Sequence, residues 1–134
     1  MDRHIAHIPI FVLCGGYGTR LQSLFKNTPK AMVPVNGRPF LSWQVASWVS
    51  QGCSQFVFLT GFLSEQVSNF LKIEMLKYPQ ATWRCVRETD QLGTGGALVN
   101  ALRQISYSGD LVCLNADTWL PGGVEALLRH EGGP

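Results

Sequence analysis

The sequence is poor in charge. Only 15% of its 134 residues are Asp, Glu, Lys or Arg, the formal net charge is +2, and Lys and Arg never form a run. That argues against a nucleic-acid-binding surface or a polybasic membrane anchor. Long apolar runs are missing too. The longest, Ile8 to Cys14, is interrupted by Pro9, whereas a spanning helix needs about 20 apolar residues. Arg3 and His4 near the start are not followed by the apolar core and small-residue cleavage site of a signal peptide. Cysteine is sparse, and Cys14, Cys53, Cys85 and Cys113 form no C-x-x-C pair. Each has apolar neighbours, so we expect buried free thiols, a reducing compartment and a cytoplasmic protein. No internal repeat or low-complexity linker breaks the chain.

What is present is a 46% hydrophobic chain, enough for one domain with a real core. Short apolar runs alternate with amphipathic stretches. Ile8–Leu13, Gln55–Thr60, Thr82–Arg87 and Asp110–Leu114 read as strands, the first a nearly continuous apolar run suited to burial on both faces. Met32–Val35 reads as a small extended segment ahead of an Asn36-Gly37 turn. Helices are predicted at Arg20–Phe25, Phe40–Ser50, from Ser64 as cap through Val67, Phe70 and Leu71, at Gly95–Ile105, and at Pro121–Arg129. Gly52 is placed to end the Phe40–Ser50 helix. Alternation of this kind implies a mostly parallel sheet and an α/β fold, a Rossmann-like three-layer sandwich.

Two segments carry candidate chemistry. The first is LCGGYGTRL, Leu13 to Leu21, directly after the first strand. Gly15, Gly16 and Gly18 would let backbone amides approach a polyphosphate closely, and Arg20 would add a permanent cation. The segment is not a P-loop, which needs G-x-x-x-x-G-K-[ST], nor a dinucleotide fingerprint, because Leu21 occupies the third glycine position. The same glycines would also serve a plain tight turn. The second segment is TPKAMVP, Thr28 to Pro34, in which rigid Pro29 and an apolar stretch flank Lys30. Taken alone, Lys30 would read as a solvated surface lysine.

Taken together, the two segments resemble the signature of the sugar-1-phosphate nucleotidyltransferases, GG-x-GTRL followed by PK-x-M-x-P-V. Val12 to Leu41 is most similar to the guanylyltransferase branch, which acts on D-glycero-α-D-manno-heptose 1-phosphate or mannose 1-phosphate. The resemblance implies transfer of a nucleoside monophosphate, GMP from GTP, to a sugar 1-phosphate with release of pyrophosphate. Leu13, Gly15, Gly16, Gly18 and Thr19 would then line the nucleotide pocket, with Arg20 and Lys30 as the catalytic cations.

Two later segments extend the resemblance. ETDQLGTGGA, Glu88 to Ala97, is similar to the family's base-reading loop, with Gly93 and Thr94 in its core and Gln91 in place of the usual proline. Glu88 falls where the family reads the base. A carboxylate can accept two hydrogen bonds, and guanine offers adjacent donors at N1 and N2 that uracil and cytosine lack. LVCLNADTW, Leu111 to Trp119, brings Asp117 to the end of a core strand, where the resemblance implies that it holds Mg²⁺ against phosphate oxygens. The family pattern there is N-G-D-T, and Ala116 replaces the glycine. Glu88 and Asp117 also have plainer readings, as a solvated strand-end carboxylate and a helix cap.

The chain is expected to hold the nucleotide-binding portion of a single nucleotidyltransferase domain over 1–134, with the sugar-binding portion and a second metal-binding aspartate missing. Three alternatives stay open: a uridylyl- or cytidylyltransferase, a nucleotide-binding module without turnover, and an inert fragment. An exposed sheet edge would follow, and with it self-association.

Overall fold

The computed structural model describes residues 5–14, 28–61, 63–88, 93–120 and 122–124. The predicted helix at Arg20–Phe25 lies outside the described residues, as does most of Pro121–Arg129.

Among the described residues, four strands form the central sheet: β1 (Ile10–Leu13), β4 (Gln55–Thr60), β5 (Thr82–Arg87) and β6 (Val112–Asn115). All their pairings are parallel, in the order β5-β4-β1-β6. Parallel neighbours cannot be joined by a tight turn. The helices α1 (Phe40–Ser50), α2 (Ser64–Glu74) and α3 (Gly93–Ile105) make the crossovers. The expected α/β sandwich is therefore what forms.

Side-chain alternation along the strands divides the core in two. Ile10, Val12, Phe56 and Phe58 point to one face, where Leu41, Val45 and Trp48 of α1 and Val67 and Leu71 of α2 cover them. Phe11, Val57, Leu59 and Val86 point to the other, under Ala97 and Ala101 of α3. Two faces covered by helices account for the continuous apolar character of β1 and β4. α1 and α2 are also joined by a polar chain centred on buried Ser42 and Glu74. Ser42 donates to Glu74 Oε2 at 2.7 Å, Arg38 donates to Ser42 Oγ, and Lys77 pairs with Glu74 at 3.1 Å.

Local signals account for most boundaries. α1 ends on Gly52 at φ +101°, with Gly52 N–H donating to Val49 O and Cys53 N–H to Trp48 O. That is the Schellman pattern, for which glycine is the favoured residue. Asn36 and Gly37 both have positive φ and turn the hairpin between β2 (Pro34–Val35) and β3 (Arg38–Pro39).

Several boundaries differ from expectation. The segment around Met32 is not one extended piece: Lys30–Met32 forms a 3-10 turn and only Pro34–Val35 pairs as strand. Ser64 is not the cap of α2 but its first residue; Leu63 precedes it in the left-handed region and no side-chain cap bond forms. α3 begins at Gly93, two residues early, and β6 runs Val112–Asn115 because its register is set by β1.

Candidate functional site

The connections set the place of the site. From β1 the chain moves to β4 and β5 on one side, then crosses to β6 on the other, so the direction of winding reverses between β1 and β6. In open α/β sheets ligands bind beyond the carboxyl ends of the strands at such a reversal. Here those ends are Leu13-Cys14 and Asn115-Ala116-Asp117. Ala116 N–H continues the ladder by donating to Leu13 O at 3.0 Å, and Cys14 N–H donates to Leu59 O at 2.8 Å.

Lys30 reaches this point from a rigid support. Its 3-10 turn follows Pro29, which fixes φ, and Met32 N–H donates to Pro29 O at 2.8 Å. Ala31 is buried in the core, and Phe40 N–H donates to Val33 O at 2.9 Å, fastening the turn to the start of α1. The lysine nitrogen lies 2.8 Å from Asp117 Oδ2, with side-chain exposures of 39% and 27%. An ion pair this accessible stabilises a fold by only about 0–1 kcal/mol. Its position matters more: a cation and an anion meet at the winding reversal, both open to solvent.

Asp117 is held from behind by a residue that sequence reasoning missed. Gln44, on α1, is 1% exposed. Its amide nitrogen donates to Ala116 O at 3.1 Å and to Thr118 O at 2.8 Å, the two carbonyls that bracket Asp117. The signal was a glutamine on the apolar stripe of α1, one turn from Leu41 and Trp48. Thr118 Oγ1 also donates to Asp117 Oδ1 at 3.3 Å. The extra methyl of Ala116 is accommodated, since the residue is buried in the core while its backbone keeps the β1 ladder.

The structure brings Lys30 and Asp117 into contact and sets other candidates along the same edge of the sheet. Leu13 ends β1. Glu88 follows β5, its N–H donating to Thr60 O at 2.7 Å. Gly93 and Thr94 open α3. Glu88 stands at the end of the edge strand, on the far side of β4 from β1. Gly15, Gly16, Gly18, Thr19 and Arg20 lie outside the described residues.

None of the four cysteine thiols is poised as a nucleophile. Cys14 is buried beside the site and its Sγ donates to Val12 O. Burial first, then electrostatic coupling to the Cys85 thiol and the Asp117 carboxylate, pushes its thiol far above the ordinary range. Burial pushes Cys53 up to about 11, and raises Cys85 and Cys113 as well. A thiol held protonated is a poor nucleophile.

Among the described residues, no group of three or more His, Cys, Asp or Glu could hold a metal ion. One accessible carboxylate does not make a resident metal site. It does suit Mg²⁺, which keeps several waters and is bound by one or two carboxylates together with substrate phosphates. Asp117 is already paired with the Lys30 ammonium at 2.8 Å, so an ion arriving with a nucleotide would have to share or displace that partner.

Residues 10–132 match the family described as the MobA-like NTP transferase domain. The chain belongs to the MobA-like NTP transferase family. Two curated relatives of this NTP transferase chain are guanylyltransferases by name. D-glycero-alpha-D-manno-heptose 1-phosphate guanylyltransferase of Campylobacter jejuni is 34% identical over 124 residues, covering 90% of this chain and 52% of the relative. Mannose-1-phosphate guanylyltransferase catalytic subunit beta of Drosophila melanogaster is 36% identical over 107 residues, covering 79% and 29%. The NTP transferase chain thus spans about half the length of the first and less than a third of the second. Among solved structures, HddC from Yersinia pseudotuberculosis complexed with GMP-PN superposes with TM-score 0.75 at 27% identity, covering 91% of this chain and 53% of that one. The described residues include no helix long and apolar enough to cross a membrane.

Proposed function

We propose that this chain forms the nucleotide side of a sugar-1-phosphate guanylyltransferase, which transfers GMP from GTP to a sugar 1-phosphate and releases pyrophosphate. The observation that carries the reading is the Lys30–Asp117 pair at the winding reversal, a cation and an anion 2.8 Å apart on rigid supports. Relatives named for heptose 1-phosphate and mannose 1-phosphate support it, as does the structural neighbour complexed with GMP-PN.

The attacking sugar phosphate oxygen is already an anion, so no general base is required. The α-phosphorus gains a bond to that oxygen and loses its bond to pyrophosphate. What remains for the protein is alignment and charge neutralisation. Lys30 would leave Asp117 for the reacting phosphates, and Arg20 would neutralise the departing pyrophosphate. Asp117 would hold Mg²⁺, which when bound neutralises phosphate oxygens. Gly15, Gly16, Gly18 and Thr19 would wrap the phosphates, while Leu13, Gly93, Thr94 and Glu88 would line the base side. Four free cysteines support a reducing, cytoplasmic setting.

The test is calorimetric titration of GTP, UTP and CTP with Mg²⁺ into the 134-residue chain, repeated with Glu88→Gln. GTP should bind selectively, and Glu88→Gln should erase most of its preference over UTP, because the amide replaces one of the two acceptor oxygens by an NH2 donor facing a guanine N–H. A preference that survives in the variant would refute the role of Glu88. Tighter binding of UTP or CTP would move the chain to another branch of the family.

A further inference from the structure

We infer that Gln44 is a positioning residue that sets the metal-side carboxylate of Asp117, and that it couples this carboxylate to Lys30 through α1. The inference rests on the reading of Asp117 given under the proposed function.

Both hydrogens of the Gln44 amide are committed, one to the carbonyl before Asp117 and one to the carbonyl after it. The Asp117 backbone is therefore fixed on both sides by one buried group, and only its side chain is left to respond to a ligand. The same helix anchors the Lys30 turn at its first residue, through Phe40 N–H and Val33 O. A shift of α1 would thus move the cation and the anion of the pair together. Buried amides seldom sit on an apolar helix stripe without an acceptor. Here the acceptors belong to the one loop that presents the carboxylate. Groups that orient a metal-binding side chain from behind affect metal affinity by about 10- to 100-fold when removed.

The test uses Gln44→Met, which keeps length and volume but has no donor, and Gln44→Asn, which keeps an amide but is one methylene short. GTP affinity is measured by calorimetry with Mn²⁺ and again in EDTA, and backbone amide exchange is followed at 116–119. The expected result is folded variants whose GTP affinity in EDTA stays within about twofold of wild type. Their Mn²⁺-dependent gain should fall about tenfold, with faster exchange at Asp117 and Thr118 and unchanged protection in β4. Equal loss of affinity with and without Mn²⁺ would mean that Gln44 is merely structural, and would overturn the inference. An unchanged Mn²⁺-dependent gain in both variants would do the same. Should the wild-type chain bind no GTP, the proposed function fails instead. The exchange measurement then decides for Gln44, and unchanged exchange at Asp117 and Thr118 refutes it.

Discussion

Replacing Lys30 by methionine separates a structural from a functional ion pair, because the two roles predict different magnitudes. The substitution keeps the aliphatic stem and removes the charge that lies 2.8 Å from Asp117. At that distance, with an effective dielectric constant of about 20, bare attraction would be about 6 kcal/mol. The side chains are 39% and 27% exposed, so water screening and the cost of ordering a long side chain reduce the net value to about 1 kcal/mol or less. Melting should therefore shift by no more than about 4 °C. A charged hydrogen bond to phosphate is worth about 1.5–3 kcal/mol, so GTP affinity should fall roughly 10- to 150-fold. Calorimetric titration with GTP and Mg²⁺ gives the second number, and thermal melting of the same samples gives the first. A drop in melting temperature above about 10 °C with unchanged GTP affinity would refute the reasoning and make the pair a structural one.

Two further predictions concern the core. Phe58 is fully buried, stacked on Phe56 at 5.8 Å and met edge-on by Trp83 at 6.5 Å; Phe58→Ala should destabilise by about 3–5 kcal/mol in urea unfolding, and a loss below about 1 kcal/mol would contradict the packing described. The buried thiols predict a stability decline on the alkaline side only. The Cys53 thiol is raised from 9.0 to about 11 by burial, so below pH 9 both states are protonated and nothing is lost. As pH rises from about 9 towards 11 the unfolded thiol ionises and the folded one does not, so the folded state binds more protons and stability falls. Unfolding midpoints measured across that window should decrease, and Cys53→Ala should flatten the decrease; an identical slope in the variant would rule out Cys53 as its source.

The core elements were legible because their signals are local. The continuous apolar run in Gln55–Thr60, the apolar stripe of Phe40–Ser50, and Gly52 as its stop require only neighbouring residues. All three form where expected. Local signals failed where two short-range preferences competed. Ser64 is a favourable cap by type, yet the chain leaves Gly61 through a left-handed Leu63 and makes Ser64 the first helical residue. Met32 is apolar enough for a strand, yet Pro29 starts a 3-10 turn that carries Lys30 instead.

The candidate site divides the same way. Sequence by itself named the candidate residues, because the spacing of glycines, Lys30, Glu88 and Asp117 is a property of the chain. It also placed Asp117 at the end of a core strand, since apolar residues lead towards it; the strand itself ends at Asn115. Tertiary structure alone decided that Lys30 and Asp117 meet, and that Gln44 holds Asp117 from acceptors 72 and 74 positions away. Those contacts depend on β6 pairing with β1 while α1 packs across the same face of the sheet. Hydrogen bonding between distant segments has no periodicity to read, so a buried glutamine became informative only when the fold placed two carbonyls in front of it.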